Sequence, residues 1–158
     1  MSALDPATFR TLLGSFPTGV AVVTTRGGGG ELAGMTASAL SSVSLDPPLL
    51  VVCVDRATDF HRSIEVAPRF ALSVLSADQE TLSRRFAAET DDRFAGVGYT
   101  LDRYGLPLLD GAVAHLVCER WDARAAGDHT LFFGLVIDGA AFPRTPLVHF
   151  RGGYRWLG

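Results

Sequence analysis

The chemistry this chain could support is concentrated in four short stretches. The first is Gly34-Met35-Thr36-Ala37-Ser38-Ala39-Leu40-Ser41-Ser42-Val43-Ser44-Leu45-Asp46-Pro47-Pro48, a dense run of small and hydroxylated residues. Small side chains let backbone approach a flat polar ligand, while hydroxyls and free N–H groups bond its rim or a phosphate. The same composition also makes a serine-rich strand and turn whose hydroxyls satisfy one another. The residues alone leave both readings open. The second stretch is Cys53-Val54-Asp55-Arg56-Ala57-Thr58, at the end of an apolar run. An Arg and a Thr where a strand gives way to a helix start suit an anion, although a loop Arg is also commonly just solvated. The third, Ser83-Arg84-Arg85-Phe86-Ala87, offers either two cations to a phosphate or a solvated helix face. In the fourth, Gly127-Asp128-His129-Thr130, an imidazole at a tight turn can enter a cleft to donate to a ligand carbonyl or stack on a ring. Alternatively, Asp128 caps the turn's own N–H groups and His129 bonds a neighbour.

Other chemistries lack their residues. His61, His115 and His149 show no metal-ligand spacing with one another or with Cys53 and Cys118, so no metal site is expected. No GxSxG elbow or His/Cys nucleophile pair is present. Gly28-x-Gly30-x-x-Ala33 imitates a dinucleotide fingerprint, but that motif needs a helix to open at the glycines, and the segment after Leu32 is rich in Gly, Thr and Ser. The net charge is −3 with both signs scattered, and all 14 basic residues are Arg. No basic stripe exists to neutralise nucleic-acid phosphates, so nucleic acid is not an expected partner. No apolar run reaches the roughly 18 residues of a membrane span, and the first ten residues lack a signal-peptide pattern. A cytoplasmic protein with reduced, buried cysteines is the expectation.

The elements that must position these residues follow from periodicity. Asp5-Pro6 reads as a cap followed by a proline at the first helical position, and Phe9, Leu12, Leu13 and Phe16 recur at helical spacing. Strands are expected over Val20 to Thr25, Leu49 to Val54, Phe70 to Leu75, Ala114 to Ala123, Thr130 to Ala141, Leu147 to Phe150 and Tyr154 to Leu157. Gly27 to Gly30 makes a mobile hairpin tip. Short helices are expected from Thr58 or Asp59 through Val66, and from Ser76 with Gln79 in the capping-box position and Leu82, Phe86 and Ala87 inside. Asp91 to Gly111 reads as one long irregular connection. Many strands, few helices and no βα alternation predict a single domain over residues 1–158, mainly β, forming a closed or nearly closed antiparallel barrel.

The motifs Gly34 to Ser38, Ser44 to Pro48, Cys53-Val54, Phe70 to Ser76, Phe86-Ala87, Gly127 to Thr130, and Pro146-Leu147 with Tyr154 together resemble the short-chain flavin reductase family. These are the reductase components of two-component flavin-dependent monooxygenases. The resemblance spans roughly Phe9 to Leu157. It implies an antiparallel split β-barrel of the FMN-binding type, a homodimer, and reduction of FMN or FAD by NADH or NADPH. Carried over by position, Met35, Thr36, Ala37 and Ser38 lie along the flavin ring. Ser41, Ser42, Cys53, Val54, Asp55, Arg56 and Thr58 face the ribityl chain and phosphate, and Ser83, Phe86 and Ala87 close that end. His129 stands near the nicotinamide as the catalytic residue, with Tyr154 beside it. Ala39-Leu40 stands where a Ser-Phe pair is common, and nothing in the sequence marks an adenine pocket, so FMN and FAD both stay open. The rival readings are a barrel holding FMN tightly and acting directly on a small substrate, and a flavin carrier or sensor without turnover.

Overall fold

The structure, a computed structural model, describes residues 2–157. Helix α1 (Pro6–Gly14) starts as its sequence predicts: the Asp5 carboxylate accepts the Thr8 N–H at 2.9 Å and the Thr8 hydroxyl at 2.7 Å. Its apolar stripe is left largely uncovered by the described residues, since Phe9, Leu12, Leu13 and the following Phe16 are each more than half exposed.

After the short β1 (Thr18–Gly19) come β2 (Ala21–Arg26), β3 (Leu32–Ala37), β4 (Leu40–Leu45) and β5 (Pro48–Asp55). Helix α2 (Asp59–Val66), β6 (Arg69–Val74) and helix α3 (Glu80–Ala87) follow. The second half contains β7 (Tyr99–Leu101), β8 (Pro107–Leu109), the long β9 (Ala114–Ala126) and β10 (His129–Ala141), then β11 (Leu147–Phe150) and β12 (Gly153–Trp156).

Seven strands form one antiparallel sheet in the order β3-β2-β6-β9-β10-β5-β4. Its two end strands, β3 and β4, are consecutive in sequence and joined only by Ser38 and Ala39. Such a short link forces the sheet to curl until its ends meet, and the expected split barrel results. The Cys53 N–H donates to the Ala39 carbonyl at 3.0 Å, continuing the β4–β5 ladder into the link. β1, β11 and β12 form a second, three-stranded sheet.

Strand β2 shows why its run of Val, Ala and Thr lacks polar alternation: both of its faces are buried. Ala21 and Val23 pack into the barrel interior with Val52, Val54, Phe60, Ile64, Phe70, Leu72 and Phe132. Val20 and Val22 face a second cluster with Leu75, Phe86, Leu109 and Leu147. Burial of each large side chain stabilises the fold by about 1.5–3 kcal/mol.

Three expectations need correction. Gln79 does reach back to accept the Ser76 N–H at 3.0 Å, but its amide also donates to the Asp110 carbonyl at 2.7 Å; held on both sides, it ends a turn, and the helix opens only at Glu80. Asp91 to Gly111 is not wholly irregular, since β7 and β8 pair antiparallel within it and Tyr99 packs its ring on Phe94 at 5.6 Å. Finally, Cys118 is buried but Cys53 is only partly so.

Burial pushes the Cys118 thiol up to about 12 and raises the Cys53 thiol as well, by less. With a disulfide-exchange reagent at pH 8, Cys53 should react slowly in the native protein and Cys118 only once the chain is unfolded. Rapid native labelling of Cys118 would contradict this packing.

Candidate functional site

The barrel opens at the split. There a cleft of about 630 Å³ lies between β3, the end of β5, the start of α2 and the end of α3. Met35, Asp55, Thr58, Phe86 and Ala87, all singled out in the sequence, line it together. Ala57, Asp59, Phe60, Glu89, Thr90, Asp91 and Arg93 complete the lining. Of these, Glu89, Thr90, Asp91 and Arg93 escaped sequence reasoning because they stand in a segment without periodicity; the charge cluster Glu89 to Arg93 just after a helix was the available signal. A smaller adjoining lobe of about 240 Å³, lined by Gly34, Ser63 and Phe94 among others, shares Asp59, Phe60, Thr90, Asp91 and Arg93 with the cleft.

Local chemistry builds each wall. Asp55 Oδ1 accepts the Ala57 N–H at 2.9 Å, folding the chain into a turn. The Thr58 hydroxyl donates to the Asp55 carbonyl at 2.8 Å and accepts the His61 N–H at 3.3 Å, capping α2. This leaves the first N–H groups of α2 at the cleft, where a helix N-terminus attracts anions. On the opposite wall the Thr36 hydroxyl donates to the Ser83 carbonyl at 2.6 Å, and the Ser83 and Tyr154 hydroxyls bond at 2.6 Å. Thr36, Ser83 and Tyr154 thus lock α3 to β3 and β12.

Of the two arginines of α3, Arg84 belongs to a solvated helix face, and Arg85 serves the loop that follows the helix. Arg84 pairs with Glu80 at 2.7 Å. Arg85 donates to the carbonyls of Arg93, Asp92 and Ala95 at 2.6, 3.0 and 2.6 Å, fixing the loop that closes the cleft. Arg93 is the only cation among the cleft's lining residues, against Asp55, Asp59, Glu89 and Asp91.

His129 starts β10 directly across from Asp55 in the β5 ladder, so it stands beside the cleft rim. Its Nδ1 lies 2.7 Å from Asp128 Oδ1, and this hydrogen bond holds the exposed Asp128 carboxyl below its ordinary range. Of the two sequence readings, the imidazole's bond to its neighbour is seen, while His129 stands at the rim rather than in the cleft lining. Other positions lie farther from the lining. Ala37 and Val54 are buried, Val54 completely. Ser38, Ser41 and Ser42 are exposed, with Ser41 donating to the Ser42 carbonyl at 2.9 Å. Cys53 faces Leu131 across the β5–β10 ladder. The exposed Arg56 turns to the β9–β10 turn.

Among the described residues no group of three His, Cys, Asp or Glu could hold a metal, and no helix is long and apolar enough to cross a membrane. A split antiparallel barrel with a cleft at its seam, lined by apolar side chains, two threonines and four carboxylates beside the start of α2, defines the candidate ligand site of this fold. Residues 13–158 match the family model described as "Flavin reductase like domain", and the chain belongs to that family. It is 38% identical over 154 residues to a flavin reductase of Pseudomonas putida, covering 97% of this chain and 91% of the other. It is 34% identical over 158 residues to the reductase subunit of a flavin-dependent monooxygenase from Mycobacterium tuberculosis, covering 98% and 84%. The solved NADH:FAD oxidoreductase of Streptomyces globisporus, in complex with NAD and FAD fragments, superimposes with a TM-score of 0.92 at 40% identity, covering 100% of this chain and 98% of that one.

Gly34 lets β3 approach α3, because a Cβ there would lie 2.8 Å from Phe86 Cε1 and 3.2 Å from Phe94 Cζ. Phe86 is fully buried and cannot retreat. Gly34→Ala should therefore lower stability by about 1–3 kcal/mol in urea unfolding, and the added substitution Phe94→Leu should recover part of that loss.

Proposed function

We propose that this protein, acting as one domain, uses NADH or NADPH to reduce FMN or FAD and releases the reduced flavin to a separate monooxygenase in the cytoplasm. The observation that carries the reading is the cleft at the split, with His129 in register across from Asp55. Membership of the family and the relative solved with NAD and FAD fragments support it. The relative that is a monooxygenase reductase subunit supports the partner class.

The cleft suits a flavin on three counts. Its volume of about 630 Å³ lies within the range of small-ligand sites. Met35 and Phe86 offer apolar contact to a ring, while the start of α2 offers N–H groups to a phosphate, those of Arg56, Ala57 and Thr58 being taken within the chain.

When bound, the nicotinamide C4 supplies a hydride and the flavin N5 accepts it, so the cofactors carry the reactive atoms. The chain's task is orientation, which can account for several kcal/mol of a barrier. Met35, Thr36, Ala37 and Ser38 line the ring. Ser41, Ser42 and the backbone of Cys53 to Thr58 face the ribityl chain and phosphate. Ala87 and Phe86 close that end, and Ser83 and Tyr154 hold them in place. His129 contacts the nicotinamide: with its Nδ1 proton directed to Asp128, Nε2 remains free for the ligand.

A homodimer accounts for two surfaces the single chain leaves bare. Leu40, Val43 and Leu45 are exposed on the free edge strand β4, beside Ser41 and Ser42, and α1 presents Phe9, Leu12, Leu13 and Phe16. Apolar patches of this kind mark interfaces, and a bare sheet edge invites cover. A second copy seated there would bury the serine side of the site.

The purified protein should oxidise nicotinamide only when free flavin is added; no oxidation with either flavin sinks the proposal, and flavin retained through dialysis favours the tight-FMN alternative. Crossing NADH and NADPH with FMN and FAD in one steady-state assay identifies the preferred pair. His129→Ala should lower kcat/KM for the nicotinamide about tenfold or more with flavin affinity unchanged. Val43→Asp should shift the sedimentation coefficient from dimer to monomer.

A further inference from the structure

The hairpin that carries His129 is thinly supported. Strand β6 accompanies β9 only as far as Glu119, and the Arg120 N–H then donates to the Pro68 carbonyl at 2.9 Å. From Trp121 to Ala126 the outer edge of β9 pairs with no strand among the described residues, and nearly all of that segment is exposed. On the other side of the hairpin, the β5 ladder ends at the Asp55–His129 pair. The turn beyond, Gly127 with φ 60° and Asp128, lies outside the sheet.

One residue ties that turn down. Arg56 Nη1–H donates to the His129 carbonyl at 2.7 Å and Nη2–H to the Gly127 carbonyl, while the Arg56 backbone N–H donates to the Asp128 carbonyl at 3.1 Å. All three carbonyls of the turn are thereby held from one side chain and its own backbone. The planar fork of a guanidinium suits paired acceptors, whereas an ammonium offers a single point of contact. The Arg56 side chain also lines a different cavity from the cleft, one shared with His61, Arg120, Thr130 and Phe132. In that cavity His61 Nε2 bonds the Thr130 hydroxyl at 2.8 Å, pinning the opposite face of the first residues of β10.

We propose that Arg56 is a positioning residue: its guanidinium fixes the β9–β10 turn, and so the placement of His129 beside the cleft, and does not grip the flavin phosphate. This rests on the reading above that His129 meets the nicotinamide. Because Asp55 and Thr58 shape the phosphate end and Arg56 lies between them, one short loop sets both ends of the site.

The test compares wild type, Arg56→Ala, Arg56→Lys, His129→Ala and the Arg56→Ala/His129→Ala double variant. In flavin-free protein, Arg56→Ala should speed hydrogen exchange of the Asp128 to Thr130 amides about tenfold; unchanged exchange overturns the proposal whether or not the protein turns over nicotinamide. By fluorescence titration, Arg56→Ala should bind oxidised FMN and FAD within about twofold of wild type, while kcat/KM for the nicotinamide at saturating flavin falls about tenfold. The double variant should match His129→Ala, since both changes remove one function. Arg56→Lys should recover part of the rate, and millimolar guanidinium should partly rescue Arg56→Ala. A flavin affinity weakened about tenfold with turnover unchanged at saturation identifies a phosphate ligand and overturns the proposal. Multiplying defects in the double variant do so as well. If wild type fails to oxidise nicotinamide, the functional reading fails, while the exchange result still decides whether Arg56 holds the turn.

Discussion

The constraint on which the rest of this molecule depends is the link between β3 and β4, made of Ser38 and Ala39 alone. In a flat sheet of seven strands the first and last members would stand about 29 Å apart at ordinary strand spacing, far beyond the reach of two residues. Closure is therefore compulsory, and it places β3 opposite the end of β5. The helices α2 and α3 border the resulting gap, and the cleft is the space they leave. A residue inserted or deleted in the link would change the register of β4 against β5 and turn its serines to the other face.

Within that frame, polar groups that look like ligand contacts in one dimension divide into two classes in three. Thr36, Ser83 and Tyr154 bond one another, and Arg85 holds three loop carbonyls. Each such bond stabilises by about 0.5–1.5 kcal/mol, and each buried partner left alone would cost about 1–3 kcal/mol. These groups are the mortar of the cleft wall. What remains at the surface of the cleft is apolar side chains, two threonines, four carboxylates and Arg93. That distribution fits a protein whose chemistry belongs to bound nucleotides.

Much of this was legible in the sequence, and the reasons differ by element. The cap at Asp5, the hairpin at Gly27 to Gly30 and the long β9–β10 pair carry short-range signals that tertiary structure does not override. Residues 34–48 stand out by composition rather than periodicity, yet only Met35 among them lines the cleft and Gly34 the adjoining lobe. The α3 boundary was misread because the Gln79 side chain takes a second, distant acceptor at Asp110 that no local pattern announces. The β7–β8 pair was missed because strands of three residues fall below any periodicity test, and Glu89 to Arg93 was missed as lining because its position comes from Arg85. Arg56 is expected from the resemblance to face the phosphate, yet its side chain lines another cavity and its acceptors are carbonyls more than 70 residues away in the chain.

The charge of the cleft bears on the proposed role. Asp55, Asp59, Glu89 and Asp91 face a single lining cation, Arg93, whose Nε donates to the Ala88 carbonyl at 2.9 Å. A phosphate entering here meets no bidentate arginine clamp, the geometry that holds anions most firmly. It finds helix N–H groups and hydroxyls, against a background of carboxylates. At solvent-exposed distances each unit charge pair amounts to about 1 kcal/mol at 4 Å in water, so a few carboxylates weaken a phosphate's grip without excluding it. For an enzyme that keeps its flavin this would be a defect. For one that must hand the reduced flavin to another protein it sets a fast release, and the orientation of the rings then has to come from the walls and from His129 rather than from the phosphate anchor.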